Sequence, residues 1–295
     1  MKKYLLLMLV GFVFLFSCKK DHSKGTNPTG QKYTVNFTVS DVVKATASAN
    51  KLRVNSAADT FKKYIKNLRY LVYDSSSQLV RQINQDTTTS NFGNISDGFA
   101  PGTYNVVFIA NATYFIGSQP TGTYGFTGSL LYSGLFYKSI PLTVSNSNIS
   151  LPITLDRLNA QVQIKATDIV PAVLDSIKFK FSSFDGVYTS IDGTFTDNLS
   201  PRIFTHVFTA AEKGMSNFVF AVNYFNTVRP FSITVTRYGK SITAPPIIIN
   251  NVTCVQNKIT ILTGKLFQFS SITNQNAGFQ ISFDPDWGND QLINF

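Results

Sequence analysis

The chain has 295 residues, with 26 Phe and 13 Tyr beside only 14% charged residues, a balance that favours strands and is long enough for one large β domain or two of ordinary size. Its formal net charge is +10, yet the lysines and arginines are scattered apart from Lys62, Lys63, Lys66 and Arg69, and no nucleic-acid module signature accompanies them, so these four read as a solvated basic face and no nucleic-acid partner is expected. Two cysteines, Cys18 and Cys254, leave no disulfide framework once Cys18 is used for processing.

Lys2 and Lys3 form a positive head before an apolar run over residues 4–16, interrupted only by Gly11. That pattern is a signal peptide, and the run is shorter than the about 20 residues a permanent membrane helix needs. It ends in Leu15-Phe16-Ser17-Cys18, with an aliphatic residue three before the cysteine and a small one immediately before it, the form of a lipobox. The reading is a signal peptide over residues 1–17, cleavage between Ser17 and Cys18, and lipid on the Cys18 thiol that fixes the chain to the outer membrane. Residues 18–31 are polar, small and turn-forming and read as a tether. A dozen of them extended reach on the order of 30–40 Å at about 3.3–3.6 Å each.

Residues 32–155 read as a first β domain. Tyr33, Val35, Phe37 and Val39 alternate with polar residues and place four large side chains on one face of a strand. Residues 41–60 carry little pattern and read as loop with a short helix. Leu68, Tyr70 and Val72 alternate with Arg69, Leu71 and Tyr73; Asp74-Ser75-Ser76-Ser77 turns the chain, and residues 78–83 return as the second half of a hairpin. Pro101-Gly102 sets another turn before residues 104–110, a strongly apolar strand predicted to be central and buried on both faces. Residues 114–137, rich in Gly, Ser, Thr and aromatics, read as a long surface connection. Period-two spacing returns at Ile140, Leu142 and Val144 and again at Ile149, Leu151, Ile153 and Leu155, where Pro141 and Pro152 direct their segments to sheet edges.

Residues 156–295 read as a second β domain. Its strands are expected around residues 157–166, 177–181, 204–208, 218–224, 231–238, Ile259 and Ile261, 266–269 and 279–283. Thr209-Ala210-Ala211-Glu212-Lys213-Gly214 reads as a single turn with a Thr cap and a Gly stop. Many short strands between turns argue a β-sandwich in each half, an all-β chain whose halves are similar in architecture without a residue-level repeat.

The ordered set of features resembles the fimbrillin-type lipoproteins of Bacteroidetes, in particular the anchor and accessory subunits of their pili. Its carriers are the lipobox with Cys18; Leu71-Val72-Tyr73-Asp74 with its following turn and Gln78-Leu79-Val80; Pro101-Gly102-Thr103-Tyr104-Asn105-Val106-Val107-Phe108; Leu155-Asp156-Arg157-Leu158-Asn159-Ala160; Asn257-Lys258-Ile259-Thr260-Ile261; and the ending Phe279-Gln280-Ile281-Ser282-Phe283-Asp284-Pro285-Asp286-Trp287. The resemblance implies two tandem transthyretin-like β-sandwiches after a lipidated tether, joined to other fimbrial subunits by strand donation, a form of β-augmentation. It implies an anchor, accessory or tip role at the outer membrane, facing the cell exterior, with host or bacterial surface ligands as further partners. Structural pilins of this type are cut at an arginine after the first strand, and Arg53 stands where that cut would fall. Lys19-Lys20-Asp21 is similar to an export signal for the cell surface, with fewer acidic residues than the usual form.

Other chemistry finds little footing, and neither an enzyme nor a cofactor is expected. His22 lies in the tether and His206 in a strand, so no histidine pair has metal-ligand spacing. Cys254 reads as a small buried side chain. Asp284, Asp286 and Asp290 could gather around calcium, though their order does not match an EF-hand and a polar turn explains them as well; no metal is assigned. Trp287 reads as an aromatic that closes a sandwich end. The rival function is a surface glycan-binding lipoprotein of a polysaccharide-uptake system, with Tyr114, Phe115, Tyr124, Phe126, Tyr132, Phe136 and Tyr137 as candidate contacts. A secreted hydrolase has no candidate acid and base pair.

Overall fold

Period-two alternation becomes a strand wherever one face has something to cover, and here most of the chain does so. The computed structural model describes residues 30–42, 57–116, 125–128, 134–240, 242, 244–268 and 279–284. The chain separates into Met1–Gln31 and Lys32–Phe295, and every element below belongs to the second unit. In order they are β1 (Tyr33–Val42), α1 (Ala57–Tyr64), β2 (Asn67–Asp74), β3 (Leu79–Asp86), β4 (Asn94–Phe99), β5 (Gly102–Ala110), β6 (Ala112–Ile116), β7 (Gly125–Gly128), β8 (Phe136–Val144) and β9 (Ile149–Arg157). There follow β10 (Ala160–Ala166), β11 (Leu174–Thr189), β12 (Phe195–Val207), β13 (Val219–Tyr224), β14 (Phe231–Gly239), β15 (Ile247–Val252), β16 (Ile259–Gly264) and β17 (Gln280–Asp284). No helix among the described residues is long and apolar enough to cross a membrane.

The first strands run in the order β3-β2-β5-β8-β9-β1-β4. Strands β8 and β9 pair only at Phe136↔Arg157 and Tyr137↔Asp156, so the ribbon folds over there into two layers. One layer is β3-β2-β5-β8, the other β9-β1-β4. Between them Val35, Phe37 and Val39 of β1 pack with Tyr70, Val72, Val106 and Phe108 of the opposing layer. Each such buried apolar side chain contributes roughly 1.5–3 kcal/mol of transfer free energy.

The later strands repeat this wiring. Strand β10 pairs antiparallel with β13 and parallel with β16, as β1 pairs antiparallel with β4 and parallel with β9. Strand β11 pairs with its hairpin partner β12 and with β14, which pairs with β15; β2, β3, β5 and β8 are related in the same way. Strands β6 and β7 join the far end of β11, and β17 adds to β16.

Strands β2 and β5 are buried on both faces because each lies between two cores. Tyr70, Val72, Val106 and Phe108 face the first; Leu71, Tyr73, Val107 and Ile109 face the second, which the later strands complete. The tip of the β11–β12 hairpin docks on that outer face. There Tyr73 Oη shares a 2.6 Å hydrogen bond with Ser190 Oγ, and Asn105 Nδ2 donates to the Ile191 carbonyl at 3.0 Å.

The structure departs from the sequence reading at several places. Residues 114–137 are not simply a surface connection: β6 runs into them, β7 forms within them, and Phe126 is fully buried, stacked on Tyr137 at 6.1 Å and on Tyr188 at 5.7 Å. The helix in the early patternless stretch begins at Ala57 and runs on to Tyr64. Strand β4 forms where none was expected, β15 lies over Ile247–Val252, mostly ahead of the β-type alternation of residues 251–255 around Cys254, and Leu266 and Phe267 lie outside any strand. Residues 209–214 do turn as expected, with the Thr209 amide and hydroxyl both donating to Glu212 Oε2 at 2.8 Å.

Candidate assembly surface

The sequence places its processing site at Ser17 and Cys18 and its cleavage candidate at Arg53, and all three lie outside the described residues. What the structure does describe is the strand that begins at Tyr33. Strand β1 sits inside its layer, paired with β4 on one side and β9 on the other. The Thr34 amide also donates to Asn148 Oδ1 at 2.8 Å, tying its start to the turn between β8 and β9. Val35, Phe37 and Val39 are buried, so β1 is integral to the fold.

An assembly protein of sandwich type works through its strand edges, because unpaired backbone groups there can take a further strand. The side of the first sandwich bounded by β3 and β4 is bridged by polar side chains. Asp97 of β4, 2% exposed at its side chain, pairs with Arg81 of β3 and accepts from Tyr70 Oη at 2.8 Å. Burial raises the Tyr70 phenol well above the ordinary phenol range, an effect the nearby Arg81 charge only partly offsets. It therefore stays a donor to Asp97. Gln85 adds a second bridge, accepting from the Gly93 amide at 2.9 Å and donating to the Asn94 carbonyl at 3.0 Å. On the opposite side β8 and β9 part after their two paired positions, and the exposed Lys138–Asp156 contact of 2.9 Å stands at the point of divergence.

In the second set, β17 lies antiparallel along β16 from Ile259↔Asp284 to Thr263↔Gln280. Just after β16 the chain is held by two side chains that the sequence reading did not single out. Asp168 accepts from the Leu266 and Phe267 amides at 2.9 and 2.8 Å, and the buried Arg237 donates to the Gln268 carbonyl at 2.7 Å and to that of Pro245. The outer face of the sheet holding β11 carries exposed Ile203, Val207, Tyr238 and Ile248, with Lys178 over the Tyr238 ring at 4.7 Å.

The remaining sequence candidates separate clearly. Phe126, Phe136 and Tyr137, named as glycan contacts, are buried in the cores and cannot stack on a sugar; this corrects that part of the reading, while Tyr124 and Tyr132 lie outside the described residues. Cys254 is free and 5% exposed, and burial pushes its thiol up to about 12, the state of an inert packed side chain. His206 is a strand residue whose Nε2 meets Glu212 Oε1 at 2.8 Å. Asp286, Trp287 and Asp290 lie outside the described residues, as does His22. Lys62, Lys63 and Lys66 are exposed, and Lys66 Nζ donates to the Lys62 carbonyl at 3.1 Å.

Compared with known proteins, residues 25–263 match the family described as fimbrillin-A associated anchor proteins Mfa1 and Mfa2. No curated protein matches the sequence. Among solved structures, a proposed adhesin from Bacteroides ovatus superposes with a TM-score of 0.53 at 11% identity, over 75% of this chain and 84% of that one. A proposed polysaccharide-binding protein from Bacteroides thetaiotaomicron gives 0.54 at 12% identity, over 79% and 92%. The fimbrial anchor protein Mfa2 from Porphyromonas gingivalis gives 0.48 at 13% identity, over 89% and 99%. For the two Bacteroides structures, at these identities, the likeness is one of fold.

Proposed function

This chain belongs to the family of fimbrillin-A associated anchor proteins, and from that premise we propose that it is the lipid-anchored subunit that holds a fimbrium to the outer membrane. It is a fimbrial subunit, and its association is with other fimbrial subunits. In the proposal, cleavage after Ser17 and acylation of Cys18 fix the tether in lipid facing the cell exterior. The strand sets of residues 32–155 and 156–295 act as two joined sandwich domains of transthyretin-like type, and neighbouring subunits attach by strand complementation.

The observation that carries the anchor reading is the place of β1. It follows directly on the tether residues and is paired on both sides within its layer, with Val35, Phe37 and Val39 in the core. A pull on the tether is therefore resisted by two backbone ladders in shear, together with the packing of β1. Cleavage at Arg53 followed by loss of β1 would remove both the lipid and the middle strand of β9-β1-β4, so in an anchor Arg53 is expected to remain uncut. The test is to isolate fimbriae from native membranes under conditions that preserve polymer. Co-purification of an intact chain beginning at Cys18 supports the role; a chain beginning at Val54, or one that never accompanies fimbrial subunits, contradicts it.

A further inference from the structure

We propose that the edge of β16 is a strand-acceptor site, occupied at rest by β17 and taken in assembly by an extended strand of another fimbrial subunit. This rests on the strand-complementation reading above and assigns it to one edge. The argument begins with the repeated wiring. Because β16 stands to β10 as β9 stands to β1, the edge of β16 that carries β17 corresponds to the edge of β9 that faces β8. The two edges are equivalent in topology, yet β9 meets β8 at only two positions whereas β16 carries β17 along five.

The difference lies in two prolines. Across the seam the Leu158 amide donates to the Leu135 carbonyl at 2.8 Å. Backbone groups alternate sides along a strand, so the residues of β9 that point into the seam are Asp156, Thr154, Pro152 and Ser150, and those of β8 are Tyr137, Ser139 and Pro141. Neither strand carries a bulge of its own that would shift this count, since the one irregularity in the β1–β9 pairing lies between Val39 and Asp41. Each open edge therefore lacks an N–H that an entering strand would need, a recognised way of blunting an edge. Strand β16 is Ile259-Thr260-Ile261-Leu262-Thr263-Gly264, without proline, so each of the alternate positions that faces this edge offers an N–H.

The manner in which β17 is held also favours exchange. Gln280, Ile281, Ser282 and Phe283 are all exposed, Ile281 at 41% and Phe283 at 46%. Edge strand β13, by contrast, buries Phe220, Val222 and Tyr224. Residues 280–283 of β17 are thus retained mainly by backbone bonds that any proline-free extended segment can reproduce, the side-chain packing being that of Phe279 just before the strand, which lies over Gly264 and against the second core. The clamp of Asp168 and Arg237 on residues 266–268 keeps the acceptor edge in place when β17 departs. The strand that fits is one of at least five residues without proline, bearing apolar side chains at alternate positions as Ile281 and Phe283 do.

The test locks β17 in place in the full chain. Ile261 and Ser282 lie directly opposite, so Ile261→Cys with Ser282→Cys forms a cross-strand disulfide under oxidation, while the buried Cys254 stays out of reach. Binding of co-purified fimbrial subunits is measured oxidised and reduced, with a thermal melt to confirm that the locked chain is folded. The expected result is a loss of binding of about tenfold or more on oxidation, restored by reductant. A peptide of residues 279–284 should likewise be captured by the reduced chain and refused by the oxidised one. Equal binding in both states overturns the β16 assignment and leaves complementation at another edge standing. If the unlocked wild-type chain binds no fimbrial subunit, the complementation reading itself fails and this inference with it.

Discussion

Replacing Asp97 with alanine tests whether the β3 and β4 side of the first sandwich is held by a buried charge. Asp97 is 2% exposed at its side chain, paired with Arg81 and accepting from Tyr70 Oη at 2.8 Å. Its removal strands a buried phenol, at roughly 1–3 kcal/mol. Truncating one partner of a fully buried ion pair costs about 3–5 kcal/mol, but Arg81 is 39% exposed and can recover water, which brings the expected total to about 2–4 kcal/mol. Asp97→Asn keeps an oxygen for Tyr70 and should lose about half as much. Arg81→Ala leaves the carboxylate without its counter-charge, so the double-mutant cycle should show a coupling above about 1 kcal/mol. Urea unfolding measures each term through its midpoint. A loss below about 1 kcal/mol for Asp97→Ala, or an additive cycle, would refute the reasoning.

Phe37→Ala removes a β1 ring packed 5.5 Å from Tyr70 and Phe108 and 6.4 Å from Phe99, and urea unfolding should show a loss of about 3–5 kcal/mol. In Gly264→Ala the new Cβ would meet the Phe279 ring at 2.8 Å, so deuterium uptake in residues 280–284 should rise while that of β10 stays unchanged. Cys254 should resist thiol reagents in the folded chain and react once it is unfolded. Because its folded pKa, raised by burial from 9.0 to about 12, exceeds the unfolded value, its contribution is present below pH 9 and lost as pH climbs towards 12. Thermal melts across that range should fall, and Cys254→Ala should soften the fall.

Much of the fold is legible in the sequence because its signal is local. The alternation at Tyr33, Val35, Phe37 and Val39 locates β1, and the strongly apolar stretch of residues 104–110, unbroken from Val106 to Ala110, announces a strand covered on both faces, as β5 is. Pro141 and Pro152 do mark edges, for they sit where β8 and β9 have parted. What escapes is set by distant partners. Strand β4 contains Asp97 and Gly98 and reads as a polar turn until Arg81 and Tyr70 arrive from the other layer. Phe126 sits among glycines and threonines, and only the stacking of Tyr137 and Tyr188 makes it core. Asp168 and Arg237 carry no motif, because their function is to hold backbone nearly a hundred and about thirty residues away respectively. The repeated wiring is likewise a property of pairing and leaves no residue-level trace.

The anchor account rests on one covalent attachment, and the most direct measurement compares fimbriae retained on cells with those shed into the medium for the wild type and for Cys18→Ala. Retention in the wild type and shedding of assembled fibres from Cys18→Ala cells, with lipid found on the N-terminal cysteine of the wild-type chain, is the predicted result. Fibres that stay equally attached in both strains would contradict it.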